Sequence, residues 1–138
     1  MMLTKSEHTT AEHRRLIETW FQEHAKSLCL QEKPNALVLE KHDDKGNVVG
    51  LLTFGERHKV GHVNEVITAP KARHQGIGTE LMERMEAEAR KLGCESLLLS
   101  TWSHQARGFY EKQGFVVVGK TTPTQKGTQK FWMEKILI

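Results

Sequence analysis

Apolar residues fall at helical spacing in two stretches of this chain and in strand-like blocks elsewhere. Leu16, Ile17, Trp20, Phe21, Ala25 and Leu28 recur with a helical period, which predicts an amphipathic helix over roughly 10–28. Thr9-Thr-Ala-Glu12 fits a capping box with Thr9 as N-cap, and Pro34-Asn35 ends the segment. Ala36–Glu40 and Val48–Phe54 read as strands joined by a turn at Asp43–Asn47, hence a hairpin. A polar loop is expected at Gly55–Gly61, then a strand at His62–Thr68. The second helical stretch sets Leu81, Met82, Met85, Ala89 and Leu92 on one face and Glu80, Glu83, Arg84, Glu88 and Lys91 on the other, with Gly93 at its C-terminus. Leu97-Leu-Leu99 inside Glu95–Trp102 suits a strand buried on both faces. A short helix near 105–113, a strand at Phe115–Val118, a loop at 121–127 and a last strand at 129–136 complete the order. This succession implies an α/β fold around one central sheet.

Composition changes that picture little. At 138 residues the chain is expected to be a single domain, 1–138, and 38% apolar with 27% charged residues is ordinary for a soluble globular protein. A formal net charge of +3 tolerates anionic ligands without announcing a nucleic-acid or membrane binder. Cys29 and Cys94 form no CxxC motif and read as reduced thiols of a cytoplasmic protein. The N-terminus lacks the apolar core of a signal peptide, and no apolar stretch is long enough to span a bilayer.

The chemistry concentrates between the third strand and the second helix. Pro70-Lys-Ala-Arg-His-Gln-Gly-Ile-Gly78 is a basic, glycine-punctuated corner with the pattern R-x-x-G-x-G. Glycines let backbone approach a ligand, and the helix that follows offers unpaired N–H groups at the positive end of its dipole, a site for phosphate. No Gly-Lys-Ser/Thr follows, so this is not a Walker A loop, and a third glycine of the dinucleotide fingerprint is missing.

Ala106-Arg-Gly-Phe-Tyr-Glu-Lys-Gln-Gly-Phe115 lies downstream as A-x-x-F-Y-E-K-x-G-F. Together with R-x-x-G-x-G it strongly resembles the GNAT superfamily of acetyl-CoA-dependent N-acetyltransferases. The likeness covers 62–92 and 95–119. It implies a GNAT-like α/β fold: a mixed, mostly antiparallel central sheet, splayed at the cofactor cleft, with helices on both faces. It also implies an acetyltransferase that binds acetyl-CoA as cosubstrate and moves its acetyl group directly to a primary amine in a ternary complex. Backbone amides of His74, Gln75, Gly76, Ile77, Gly78 and Thr79 would hold the diphosphate, with Arg73 and Lys71 near. Val66, Ile67 and Thr68 would pair through main chain with the pantetheine arm, as an added strand, in a gap between this strand and Ser100–Trp102. An N–H at Ile67 or a neighbour would polarise the thioester carbonyl. Tyr110 would protonate the departing thiolate. Ala106 and Ser103 would line the coenzyme from the short helix.

Two positions depart from the family pattern. His74 stands where many relatives have glycine, so its side chain either crowds the phosphate or hydrogen-bonds to it. Ser103 stands where many have asparagine; serine can still cap the short helix. The base that deprotonates the amine is expected to be His62, placed by strand alternation with Asn64, Val66 and Thr68; Glu65 would then face away, and His58 and His104 are further candidates. Eight histidines show no metal-ligand spacing, so no metal is expected. The acceptor, a small-molecule or peptide amine, would meet the first helix and the 55–61 and 121–128 loops. Arg57, His58 and Lys59 would make that rim basic, favouring an acidic or neutral acceptor. Rival readings are a CoA-binding sensor without turnover and a nucleic-acid binder. The apolar tail Phe131–Ile138 is either a homodimer surface or ordinary core.

Overall fold

The structure, a computed structural model, describes residues 1–28 and 35–138. The expected break at Pro34 and the Cys29 thiol lie outside the described residues. The chain divides into two compact units, Met1–Pro34 and Asn35–Ile138.

The first unit carries α1 (Ala11–Ser27). Its cap is Thr10 rather than Thr9. The His13 N–H donates to Thr10 Oγ1 and the Thr10 N–H to His13 Nδ1, both at 3.1 Å. His13 thus closes the capping box from the third helical position, where Glu12 was expected. Glu12 instead pairs with Arg15 at 2.6 Å. Two adjacent threonines offer equivalent caps, and the partner three residues on decides between them.

The second unit is a six-stranded sheet in the order β1-β2-β3-β4-β6-β5. The strands are β1 (Asn35–His42), β2 (Val48–Arg57), β3 (Val60–Thr68), β4 (Ser96–Trp102), β5 (Val116–Lys120) and β6 (Lys130–Ile136). All pairings are antiparallel except β3 with β4. The mixed, mostly antiparallel sheet flanked by helices is the α/β architecture the sequence implied. Between β3 and β4 come a 3-10 turn (Pro70–Ala72) and α2 (Ile77–Lys91); α3 (Arg107–Lys112) follows β4.

The β1–β2 turn is closed by Asp43, whose Oδ1 accepts the N–H groups of Asn47 and Lys45 at 2.9 Å; those bonds hold its carboxyl below the usual range. The expected 55–61 loop is instead a second hairpin. β2 runs to Arg57, β3 starts at Val60, and His58 and Lys59 turn the chain with φ of 53° and 65°. Left-handed backbone at both central positions is the type I′ geometry, usually signalled by Asn-Gly, which this sequence lacks. The buried Glu56 supplies the missing support: Oε1 accepts the Lys59 N–H at 2.8 Å and Oε2 the Asn35 amide at 2.7 Å.

One face of the sheet carries the core. Leu52, Phe54, Val63, Leu97, Leu99, Phe131 and Met133 pack with Ile77, Leu81, Met82, Met85 and Ala89 of α2. The expected apolar face of α2 is the buried one, except that Leu92 sits at the C-cap. β6 lies between β4 and β5 with both edges paired, and its Phe131 and Met133 are core, so the apolar tail offers no free strand edge. Lys135 ties β6 to the helices: Nζ donates to Glu86 Oε2 at 2.8 Å and to the Gln113 carbonyl at 2.9 Å, while Arg90 also holds Glu86. Burial alone would raise the Glu86 carboxyl, but these two cations outweigh it and hold it low.

Candidate active site

β3 has two different halves. Val60, Gly61 and His62 pair with Ser96, Leu97 and Leu98 of β4, and the ladder stops there. From Val63 to Thr68 the strand stays paired with β2 but, among the described residues, has no partner strand on its other edge. Alternate residues of such an edge turn N–H and C=O groups into the gap, a template for an added strand. The sheet is splayed where the added strand was expected.

A bulge sits at the opening. Thr53 pairs with Glu65 and Phe54 with Val63, so Asn64 is an extra residue on β3. Directly opposed residues share a face, and an extra residue resets the alternation. Val63, Val66 and Thr68 therefore face α2, while His62, Glu65 and Ile67 face the other way. The expectation that His62 shares a face with Val66 and Thr68, and that Glu65 opposes it, is overturned. The Glu65 pairing confirms the register: its N–H donates to Thr53 Oγ1 at 3.1 Å, and the Thr53 hydroxyl bonds its carboxylate.

The corner after β3 leads into a cleft of about 600 Å³. Its walls are Val66, Ile67 and Thr68 from the open edge, Arg73, His74, Gly76, Ile77, Gly78 and Thr79 from the corner, and Ala106, Phe109 and Tyr110 from α3. Two of the expected residues are not in these walls. Gln75 instead lines a neighbouring cleft with Lys41, Asp43 and Lys71. Ser103 bonds to Gln129: its N–H donates to the Gln129 carbonyl at 2.8 Å, and its Oγ accepts the Gln129 N–H at 3.1 Å. It does not cap α3, whose N-cap is Ala106 without a side-chain bond.

The corner turns through left-handed residues at His74 (φ 64°) and Gly76 (φ 78°). Gly76 is the N-cap of α2 and has no side chain to cap it, so the N–H groups of Ile77, Gly78 and Thr79 lack intrahelical partners and point at the cleft with the positive helix end. Gly78 allows α3 to close in: a Cβ there would meet Phe109 Cζ at 3.2 Å. Phe109 is the contact sequence reasoning missed; its spacing gave only an apolar residue. Among the described residues, no hydrogen bond or ion pair is made by the side chains of Lys71, Arg73 or His74, leaving positive charge beside the free amides.

Tyr110 packs edge-on against Phe109 at 5.2 Å and Phe115 at 6.3 Å between ring centres. Burial pushes its hydroxyl above the ordinary tyrosine range, so it stays protonated, the state a proton donor needs. His62 is exposed and lies in the closed half of β3, outside the cleft walls. The 121–128 loop is a tight turn, with the Gly127 N–H on the Thr124 carbonyl and the Thr124 N–H on the Thr128 carbonyl.

The open edge, the uncapped helix start and the close glycine fit a diphosphate carried on an extended arm. No described helix is long and apolar enough to cross a membrane, and no described cluster of histidine, cysteine or acidic residues could hold a metal.

The sequence model of the Acetyltransferase (GNAT) family matches residues 3–115. Acetyltransferase Atu2258 of Agrobacterium fabrum is 30% identical over 104 residues, 75% of either chain. IAA acetyltransferase of Azospirillum brasilense is 38% identical over 96 residues, 67% of this chain and 63% of that protein. In structure, an acetyltransferase from Bacillus cereus superposes with a TM-score of 0.80 at 24% identity, over 97% of this chain and 98% of that one. A Bacillus anthracis protein solved in complex with acetyl coenzyme A superposes with a TM-score of 0.68 at 19% identity, over 80% of this chain and 68% of that one.

Proposed function

This chain belongs to the GNAT family and is an acetyl-CoA-dependent N-acetyltransferase; from that premise we propose that it transfers the acetyl group directly to a primary amine, both substrates being held at once. The observation that carries this reading is the open edge of β3 running into the uncapped start of α2. The two together suit one ligand with an amide-bearing arm and a diphosphate. The family match at 3–115 reaches into both compact units, which supports reading 1–138 as one acetyltransferase domain.

In this reading the amides of His74 to Thr79 hold the diphosphate, with Arg73 beside them. The main chain of Val66, Ile67 and Thr68 holds the arm, and an N–H at Ile67 or its neighbour donates to the thioester carbonyl as charge builds on that oxygen. Tyr110 gives its proton to the departing sulfur. His62 or Glu65 takes the proton from the acceptor ammonium, directly or through water. Ala106 lines the arm, and the side chains of Ser103 and Gln75 lie outside the cleft walls. Fixing the amine against the thioester supplies much of the acceleration. A buried free thiol at Cys94, held neutral by burial and the nearby Glu56 charge, suits a reducing cytoplasm and not an acyl-enzyme.

The amine itself differs among relatives. Some are named for glucosamine 6-phosphate and one for aminoalkylphosphonates. The test is free-thiol release from acetyl-CoA across an amine panel. Tyr110→Phe should lower kcat by roughly 10²-fold or more while coenzyme affinity stays within about twofold. Coenzyme binding with no thiol release from any amine would overturn the reading, and equal loss of binding and turnover in Tyr110→Phe would make the tyrosine structural.

A further inference from the structure

The two sides of the cleft differ in chemistry. The side covered by α2 carries the corner, Tyr110 and the unpaired cations. The reacting carbon, held in the gap between β3 and β4, is then open to a second molecule from the other side of the sheet. Register fixes what that side presents. On β3 it is Val60, His62, Glu65 and Ile67; on β4, Ser96, Leu98, Ser100 and Trp102; on β6, Lys130, Trp132, Glu134 and Ile136.

Counting forward from the last closed pair, His62 with Leu98, and allowing for the bulge, brings Glu65 level with Ser100 and Ile67 level with Trp102 across the mouth. Glu65 thus stands in the open half of β3, beside the main chain that would hold the thioester. Its carboxylate is steadied by Thr53. Opposite lie two indoles, Trp102 and Trp132, each more than a third exposed, and Ile67 is more exposed still. These indoles already attract an ammonium: Lys130 Nζ lies 5.2 Å from the Trp102 ring centre and 5.4 Å from that of Trp132. By register the ionisable side chains of the strands on this side include His62, Glu65, Glu134 and Lys130, with Glu40 of β1 and Arg57 of β2; the ammonium of Lys130 lies over the indoles. The carboxylates of Glu40, Glu65 and Glu134 outnumber the cations of Arg57 and Lys130, so the balance is mildly acidic, opposite to the coenzyme corner. Of the basic rim expected from Arg57, His58 and Lys59, Arg57 shares this face opposite Val60, at the end of β3 away from the mouth, and Lys59 pairs with Glu95 at 3.5 Å.

We propose, on the acetyl-transfer reading above, that the acceptor is a cationic amine on a flat apolar body, an arylalkylamine, with its ammonium drawn to Glu65 and its body laid on Ile67, Trp102 and Trp132. Phosphate- or carboxylate-bearing amines are disfavoured by Glu65 and Glu134.

The experiment compares phenethylamine and tryptamine with glucosamine 6-phosphate and 2-aminoethylphosphonate in the thiol-release assay, with acetyl-CoA affinity measured separately by calorimetry. The arylalkylamines should lead in kcat/KM by about tenfold or more, and Glu65→Gln should raise their KM about tenfold, the scale of one charge-assisted contact, with coenzyme affinity unmoved. In a Trp20→Phe background, where only Trp102 and Trp132 emit, phenethylamine added to the CoA complex should quench fluorescence, and the phosphorylated amines should not. A phosphorylated amine turned over as well or better overturns this acceptor while leaving the acetyltransferase reading intact. So does an unchanged KM in both Glu65→Gln and Trp102→Ala. Failure to bind acetyl-CoA at all overturns both.

Discussion

β3 has a basic corner at each end, and the two behave in opposite ways. At its start, Arg57-His-Lys59 turns on two left-handed residues, as the second corner does at His74. There the resemblance stops. In the first turn Glu56 accepts the Lys59 N–H, the Lys59 carbonyl accepts the Glu95 N–H at 2.8 Å, and Lys59 Nζ reaches the Glu95 carboxylate. In the second, Ile77 to Thr79 begin a helix with no side-chain cap, and Lys71, Arg73 and His74 make no described side-chain bond. Basic residues beside a strand end do not by themselves make an anion site. What makes one is donors that the protein itself leaves unmatched.

The contrast can be broken or sharpened by substitution at each corner. The largest effect on stability should come from Glu56→Ala, which strands the Lys59 N–H and the Asn35 amide; it should cost about 1–3 kcal/mol by denaturant melts while acetyl-CoA affinity holds. A loss of affinity instead would mean that the first corner also serves the coenzyme. Arg73→Ala should leave the melt unchanged and weaken acetyl-CoA roughly tenfold in a calorimetric titration, since among the described residues the guanidinium has no hydrogen-bond or ion-pair partner to lose. If the melt moved and the affinity did not, the corner would be a structural turn. Lys59→Ala should do least, within about 0.5 kcal/mol, because its ion pair is exposed.

Sequence reasoning did best where the signal was local. The periodicity of α2 and the two motifs, R-x-x-G-x-G and A-x-x-F-Y-E-K-x-G-F, lie in short stretches, and the resemblance they carry named most of the residues that line the cleft. It failed where one residue changes the meaning of its neighbours. Nothing in Val63-Asn-Glu-Val66 marks Asn64 as an insertion, and strict alternation therefore put His62 and Glu65 on opposite faces. The 57–60 hairpin lacked the glycine or asparagine that announces such turns, because a buried acid does that work instead. Ser103 looked like a helix cap from its place in the chain, yet its partner, Gln129, is distant in sequence. The position of β6 between β4 and β5 has no local signal either.

Asn64 also separates two kinds of heredity along one strand. An arm gripped through peptide groups is indifferent to which side chains line that strand, so long as the edge stays free. On the proposed reading, the residues that project from it toward the second substrate could be exchanged without disturbing the grip, and a single insertion or deletion at this point would swap the whole set at once. One strand can keep its coenzyme while its taste in amines drifts.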